Sequence, residues 1–351
     1  MELGISSFGE VAPAHTAGND RSAQRRMQEL LALAKLADEV GLDVLALGEH
    51  HRPDFIISAP EVILAAVAAI TKRIRLSSAV TVLSSADPVR TFQNFATVDL
   101  ISAGRAEIIA GRGSFIESYP LFGYDLDDYD ELFVEKLTLL LKINDSEVVS
   151  WQGKHRPSIA AQGVYPRPAQ PKLPVWIGIG GTPASAVRAG KLGLPLTIAI
   201  LGGAPDRYVP FAELYRESAQ QAGHAPARMP LSLNCHFHVA ETSQQAADEF
   251  FPPYATLMNR IGRERGWSPM DRRHFDYLRG PQGPLFVGTP QEIIDKLLYL
   301  HGLFANTRFL AQLVLEGIPH ASVMRSVELF GARVAPAVRE ALGVNAAVSQ
   351  P

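Results

Sequence analysis

Between Arg75 and Gly113 the chain spells out a complete strand–loop–helix–strand unit, and this stretch constrains the fold more than any other. A β-branched run from Ile74 to Val82 crosses a polar turn, Ser84-Ser85-Ala86-Asp87-Pro88. There the period changes, because Val89, Phe92, Phe95, Ala96 and Val98 recur at helical spacing. A second strand, Ala106 to Ala110, follows Gly104 and stops at Gly111-Arg112-Gly113, where two glycines let backbone approach a ligand beside a permanent cation. The unit is a βαβ crossover with a cationic mouth at the carboxyl end of its strand.

The same alternation runs along the rest of the chain. Strands are expected near Glu2 to Phe8, Asp43 to Gly48, Val175 to Ile179, Leu196 to Leu201, Leu231 to Val239 and Thr307 to Val314, each with a helix after it. The Pro60 to Thr71 helix is apolar almost all round, as a helix buried on two sides would be. Eight strands, joined by connections too long for hairpins, pair in parallel and close most simply as an α/β fold of the (β/α)8 TIM-barrel type. The chain reads as a single barrel domain over 1–351 with two excursions, about 144–173 and 252–287. The second is rich in proline, glycine and arginine, without clear periodicity, and is expected to be a long irregular loop over the carboxyl-terminal face.

Composition narrows the class. With 47% hydrophobic and 20% charged residues the chain can bury a large core, and a net charge of −3 provides no field for nucleic acid or an anionic membrane. Its one cysteine, Cys235, cannot form an intrachain disulfide, and no basic-then-apolar leader or apolar run of membrane-spanning length is evident. A cytoplasmic protein is the expectation.

In such a barrel the site lies at the carboxyl ends of the strands, which here carry His50, Ala79-Val80, Gly111 to Gly113, Gly180 to Thr182 and, further round, His236, His238 and Gln312. Arg112 offers a planar fork to a phosphate, and Gly180-Gly181-Thr182 stand where a strand gives way to a helix with free N–H groups, so together they suit a monophosphate. Each also has a plainer role, as a surface ion pair or a helix start. Glu49-His50-His51 suits metal ligation or acid/base work, although adjacent histidines at a strand end point in different directions. His236 and His238 fall on one face of a strand, where they are either metal ligands or buried rings satisfied by hydrogen bonds. No residue is assigned to metal.

A family resemblance is carried by Gly41-Leu42-Asp43 leading to Glu49-His50-His51, by Val82-Leu83-Ser84-Ser85-Ala86-Asp87-Pro88-Val89-Arg90, by Ser102-Ala103-Gly104-Arg105 and by Gly111-Arg112-Gly113. It continues through Phe122-Gly123, Pro174-Val175-Trp176, Val287-Gly288-Thr289-Pro290-Gln291-Glu292 and the terminal Val334-Ala335-Pro336. In this order the segments resemble the bacterial luciferase-like flavin monooxygenases. The resemblance implies a (β/α)8 barrel that takes reduced FMN from a separate flavin reductase, activates O2 with it and oxidises a small organic substrate. It also implies pairing of the chain as a homodimer through the Pro60 to Ile70 helix and its neighbour from Val89 to Ile101.

Residue by residue, the resemblance makes His50 the catalytic histidine and Arg112 the phosphate-binding arginine. Gly180, Gly181 and Thr182 become the turn that holds the rest of the phosphate, and Ala79-Val80 falls where relatives have a non-proline cis peptide beneath the flavin ring. Gly111 stands where luciferase has a cysteine, and Ser84-Ser85-Ala86-Asp87 replaces its Pro-Thr-Ala-His loop, so neither light emission nor a long-chain aldehyde substrate is expected. Two other readings share the barrel: an F420-dependent oxidoreductase working by hydride transfer, and a non-catalytic flavin-binding protein. A metallohydrolase barrel built on His236 and His238 lacks the lysine or carboxylate set that would complete its ligands.

Overall fold

The computed structural model describes residues 1–11, 21–314 and 316–343. Eight parallel strands close on themselves: β1 (Glu2–Ser7), β2 (Val44–Leu47), β3 (Arg75–Ser78), β4 (Ala106–Gly111), β5 (Val175–Ile179), β6 (Leu196–Ala199), β7 (Leu231–Val239) and β8 (Arg308–Gln312). Each pairs with the next, and β8 returns to β1 in the register Gly4 to Leu310 and Ser6 to Gln312. Helices lie outside, and the architecture is a (β/α)8 barrel.

Strand alternation divides the core in two. Leu3, Ile5, Leu45, Ile108, Ile177, Ile198, Leu233 and Phe309 point out under the helices and join the large apolar cluster. Val44, Ala46, Ile109, Trp176 and Leu310 point in and fill the barrel axis. Below them Arg308 donates to Glu107 and Glu2 and lies 4.2 Å from the Trp176 ring centroid, so the barrel floor is an ion network closed by an aromatic lid.

Local chemistry explains the βαβ unit. Asp87 caps the Pro88–Ser102 helix by accepting from the Arg90 N–H at 3.0 Å, and Ala103 ends it in the left-handed region at φ 56°. Arg105 then donates to the carbonyls of Ala68, Thr71, Ile74 and Ser102, tying two helix ends to the strand that follows.

The structure corrects four expectations. The strand foreseen from Ile74 to Val82 breaks at a cis Ala79–Val80 peptide and resumes only at Thr81–Val82, which pairs with the end of β4. The excursion at about 144–173 contains a two-stranded antiparallel sheet, Val148–Trp151 with Ile159–Gly163. The terminal helix is interrupted by a π-helical turn at Phe330–Val334.

The largest correction concerns 252–287, foreseen as an irregular loop. A helix runs from Ser243 to Arg265 straight through Pro252 and Pro253, and a second spans Arg272–Leu278. Prolines disguised the period, but Ala246, Ala247, Phe250, Tyr254 and Leu257 are all buried at helical spacing, and Phe250, Phe251 and Tyr254 pack on Phe275. Tertiary burial of this aromatic face outweighs the lost N–H groups. No helix among the described residues is long and apolar enough to cross a membrane.

Candidate functional site at the carboxyl end of the barrel

The site begins where β3 breaks. Ala79 and Val80 form a ledge at the barrel mouth, and two neighbouring strands are glycine where they pass it. A Cβ built on Gly111 would lie 2.6 Å from a Val80 methyl, and one on Gly178 would lie 2.5 Å from another. Side chains are therefore excluded at these two positions, and the ledge sits directly against the strand ends that lead to Arg112 and to Gly180.

Arg112 and the Gly180–Thr182 turn, singled out separately in the sequence, meet in space. Arg112 donates Nη2 to the Thr182 hydroxyl at 3.0 Å, pairs through Nη1 with Asp130 and lies 4.7 Å from the Tyr129 ring centroid. Thr182 is the N-cap of the Pro183–Leu192 helix, yet its hydroxyl makes no capping bond and serves Arg112 instead. Pro183 carries no N–H and that of Ser185 is bound to the Thr182 carbonyl at 3.1 Å, so the helix start offers the rim the Ala184 N–H and the positive end of its dipole. A Cβ on Gly180 would meet nothing within 4 Å, so the turn borders open space.

On the other side, His50 follows β2 and is enclosed by three rings: Phe8 at 4.6 Å, Phe55 at 4.4 Å and Phe115 at 5.0 Å between centroids. Its backbone N–H is bound to the Ile57 carbonyl at 2.8 Å, while its Nε2 is buried without a hydrogen-bond partner. Burial, reinforced by the electrostatic effect of the neighbouring His51 and Arg52 side chains, pushes its pKa down to about 3. The imidazole is therefore neutral at physiological pH, able to share a hydrogen bond but not to serve as a standing imidazolium acid.

Its neighbours have different work. Glu49 accepts from the Val82 N–H at 2.8 Å and holds the His51 Nε2 at 2.8 Å, so it braces the ledge from below. His51 and His50 do not converge, as their adjacency implied.

His236 and His238 also part. His238 bonds Glu249 at 2.8 Å through Nε2, whereas His236 lies edge-on to Tyr254 at 5.3 Å with its Nδ1 buried and unpaired. Burial lowers the His236 pKa to about 4. Among the described residues the one group of three possible metal ligands within 4.8 Å of one another is Asp128, Glu131 and His155, and it includes neither ring.

Sequence reasoning did not anticipate Asp130, Tyr129 or the rings of Phe8, Phe55 and Phe115. Their only common signal is position, since each lies on a loop or helix start after a barrel strand. Nor did it anticipate how the Ser243–Arg265 helix closes on this face. Arg260 pairs with Asp54 at 3.1 Å, Arg265 donates to the Ser114 carbonyl at 3.2 Å, and Glu264 pairs with Arg52.

These residues fit a flavin mononucleotide: a fork and a helix start for its phosphate, a ledge flanked by two glycines for a flat ring, and an orphan imidazole nitrogen for a polar edge. Over almost its whole length the chain is similar to known proteins. 4-hydroxyprotoasukamycin monooxygenase of Streptomyces nodosus subsp. asukaensis is 26% identical, over 97% of this chain and 94% of its own. The solved monooxygenase RslO1 of Streptomyces bottropensis superposes with a TM-score of 0.83 at 26% identity, covering 96% of this chain and 99% of its own.

Two more distant structures share the fold. The oxygenating constituent of 3,6-diketocamphane monooxygenase from Pseudomonas putida, solved with FMN, gives a TM-score of 0.77 at 21% identity over 96% of this chain and 98% of its own. An F420-dependent secondary alcohol dehydrogenase, solved with an F420-acetone adduct, gives 0.75 at 18% over 96% and 99%. The family description of luciferase-like monooxygenases fits residues 1–307, and the chain belongs to that family.

Proposed function

We propose that the protein is an FMN-dependent monooxygenase that binds reduced flavin at the carboxyl end of its barrel and, with O2, oxidises a small organic molecule. The observation that carries this reading is the 3.0 Å bond from Arg112 to Thr182, which brings a guanidinium and an uncapped helix start to one rim beside the Ala79–Val80 ledge. Arg112, Gly180, Gly181 and Thr182 hold the phosphate, and Ala79 and Val80 support the ring. When bound, reduced FMN supplies the electrons that activate oxygen.

The chain's own residues do the rest. His50 presents a neutral imidazole, so its Nε2 can share a hydrogen bond without bringing a charge into the site. The rings around it and the Ser243–Arg265 helix keep water away from the reacting edge. Gly111 has no room for a side chain while Val80 stands beside it, which accords with a chemistry other than light emission.

The reading extends to the whole chain: one catalytic domain over 1–351, cytoplasmic, supplied with reduced flavin by a separate reductase and working as a homodimer. The F420-dependent neighbour keeps a second reading in view, hydride transfer from a deazaflavin. The test is the absorbance of the cofactor retained on purification, followed by reoxidation of the reduced form with and without candidate substrates. A flavin spectrum with substrate-dependent O2 uptake supports the proposal. A deazaflavin spectrum selects the second reading, and flavin binding with no substrate-dependent turnover selects a non-catalytic binding protein.

A further inference from the structure

Arg188 lies on the Pro183–Leu192 helix, six positions after its N-cap Thr182. Helix side chains lean toward the N-terminus, and the five residues from Pro183 span roughly 7 to 8 Å of rise, a distance an extended arginine covers. Its guanidinium lies 5.4 Å from the Phe133 ring centroid, and its Nη1 is buried without a hydrogen-bond partner. Burial and then the positive charge of Arg112 push its pKa down, while Asp130 opposes them, so Arg188 stands within the electrostatic reach of both groups that meet at the rim.

The charges there do not balance. Arg112, Arg188 and the positive end of the helix face one carboxylate, Asp130, whose side chain is 71% exposed. The approach to the Phe133 ring accounts for the position of the Arg188 guanidinium, but not for a buried N–H donor with nothing to accept from it. A doubly charged phosphate monoester supplies both the missing charge and the missing acceptor.

We propose that Arg188 is a second arginine of the phosphate site, donating Nη1 to the cofactor's phosphate and selecting a dianionic monoester over a phosphodiester or an uncharged flavin. This rests on the flavin reading above. Arg112 alone matches a single fork; the pair, with the helix start, matches three phosphate oxygens.

The experiment titrates FMN and riboflavin into wild type, Arg188→Met and Arg188→Lys, read by quenching of flavin fluorescence, with thermal melting of each ligand-free protein beside it. Methionine keeps an apolar stem over Phe133 and removes the charge. In Arg188→Met the affinity for FMN is expected to fall about tenfold or more, with riboflavin changed by less than about twofold and lysine recovering part of the loss. If wild type prefers FMN and Arg188→Met keeps that preference, Arg188 is a packing residue and the proposal fails while the flavin reading stands. If wild type binds FMN and riboflavin equally, or neither, the phosphate site itself is wrong. Should methionine prevent folding, lysine carries the comparison: the FMN-to-riboflavin ratio falls at least threefold if the fork donates to phosphate, and an unchanged ratio overturns the proposal.

Discussion

Arg52 and Glu264, 212 positions apart in the chain, close a two-bonded fork: Nη2 to Oε1 at 2.6 Å and Nη1 to Oε2 at 3.0 Å. The bond ties the loop that carries His50 to the end of the Ser243–Arg265 helix. Arg52 also donates to Glu117 at 3.0 Å and lies 4.5 Å from the Phe115 ring centroid, so one guanidinium joins three segments of the mouth.

Because Glu264 is half exposed, Glu264→Gln should cost less than about 1 kcal/mol of global stability. It should instead release the helix end locally, raising amide exchange across residues 255–270 with little change elsewhere. Exchange that rises evenly over the barrel, or not at all, would remove the fork from any part in closing the mouth.

Arg112→Ala should weaken FMN binding by about 2 to 3 kcal/mol and leave riboflavin nearly unaffected, since a charged fork is lost and riboflavin has no phosphate. Lysine at this position keeps the charge but not the fork and should rescue only part. Paired titrations decide it; equal losses for both ligands mean that Arg112 only shapes the rim.

Two buried neutral histidines make stability depend on pH. The folded pKa values, about 3 for His50 and about 4 for His236, lie below the ordinary 6.5, so below that pH the unfolded chain binds more protons and stability falls as pH drops. Each histidine contributes about 1.4 kcal/mol per pH unit until its folded pKa is reached. Urea titrations from pH 7 to 4.5 should show a slope shallower by about one proton in His50→Asn than in wild type. The same variant should bind FMN and fold, yet turn over roughly a hundredfold slower. Unchanged turnover per folded molecule would make His50 structural.

At the opposite end of the barrel, Arg308 and Glu107 are both almost wholly buried, with Nη2 to Oε2 at 3.2 Å. Arg308→Met should cost about 3 kcal/mol or more, because it leaves the buried Glu107 carboxylate with only the longer, 3.6 Å approach of the half-exposed Arg75. Adding Glu107→Leu should recover much of that loss. A single variant within 1 kcal/mol of wild type, by denaturant titration and about the scale of an exposed pair, would mean that water reaches the floor.

Val62, Ile70, Leu100 and Ile101 are exposed by 67%, 46%, 48% and 50% on the neighbouring Pro60–Ile70 and Pro88–Ser102 helices. Pairing two chains through this face would bury them. Light scattering at micromolar concentration should give twice the chain mass, and Val62→Glu with Ile101→Glu should halve it. A wild-type monomer ends the idea.

The order and type of the barrel elements were legible in the sequence because they rest on local signals. Runs such as Leu231–Val239 alternate apolar and polar residues over a strand's length, Asp87-Pro88 and Thr289-Pro290 begin helices, and Gly193 ends one. The meeting of Arg112 with Gly180–Thr182 followed from topology alone. In a closed parallel barrel every strand delivers its carboxyl end to the same rim, whatever lies between them.

Only the tertiary structure decided what surrounds those residues. Phe8, Phe55 and Phe115 come from three separate segments to enclose His50, and it is their burial of the ring that lowers its pKa, a quantity no spacing encodes. Asp130 and Arg188 approach Arg112 from two different helices. The helix through Pro252 and Pro253 was hidden because its local propensity is poor and its stability comes from the aromatic face it lays on Phe275. Periodicity records which face of an element is apolar; it does not record which distant element will cover that face, and at this site the covering residues set the charge, the exposure and the shape.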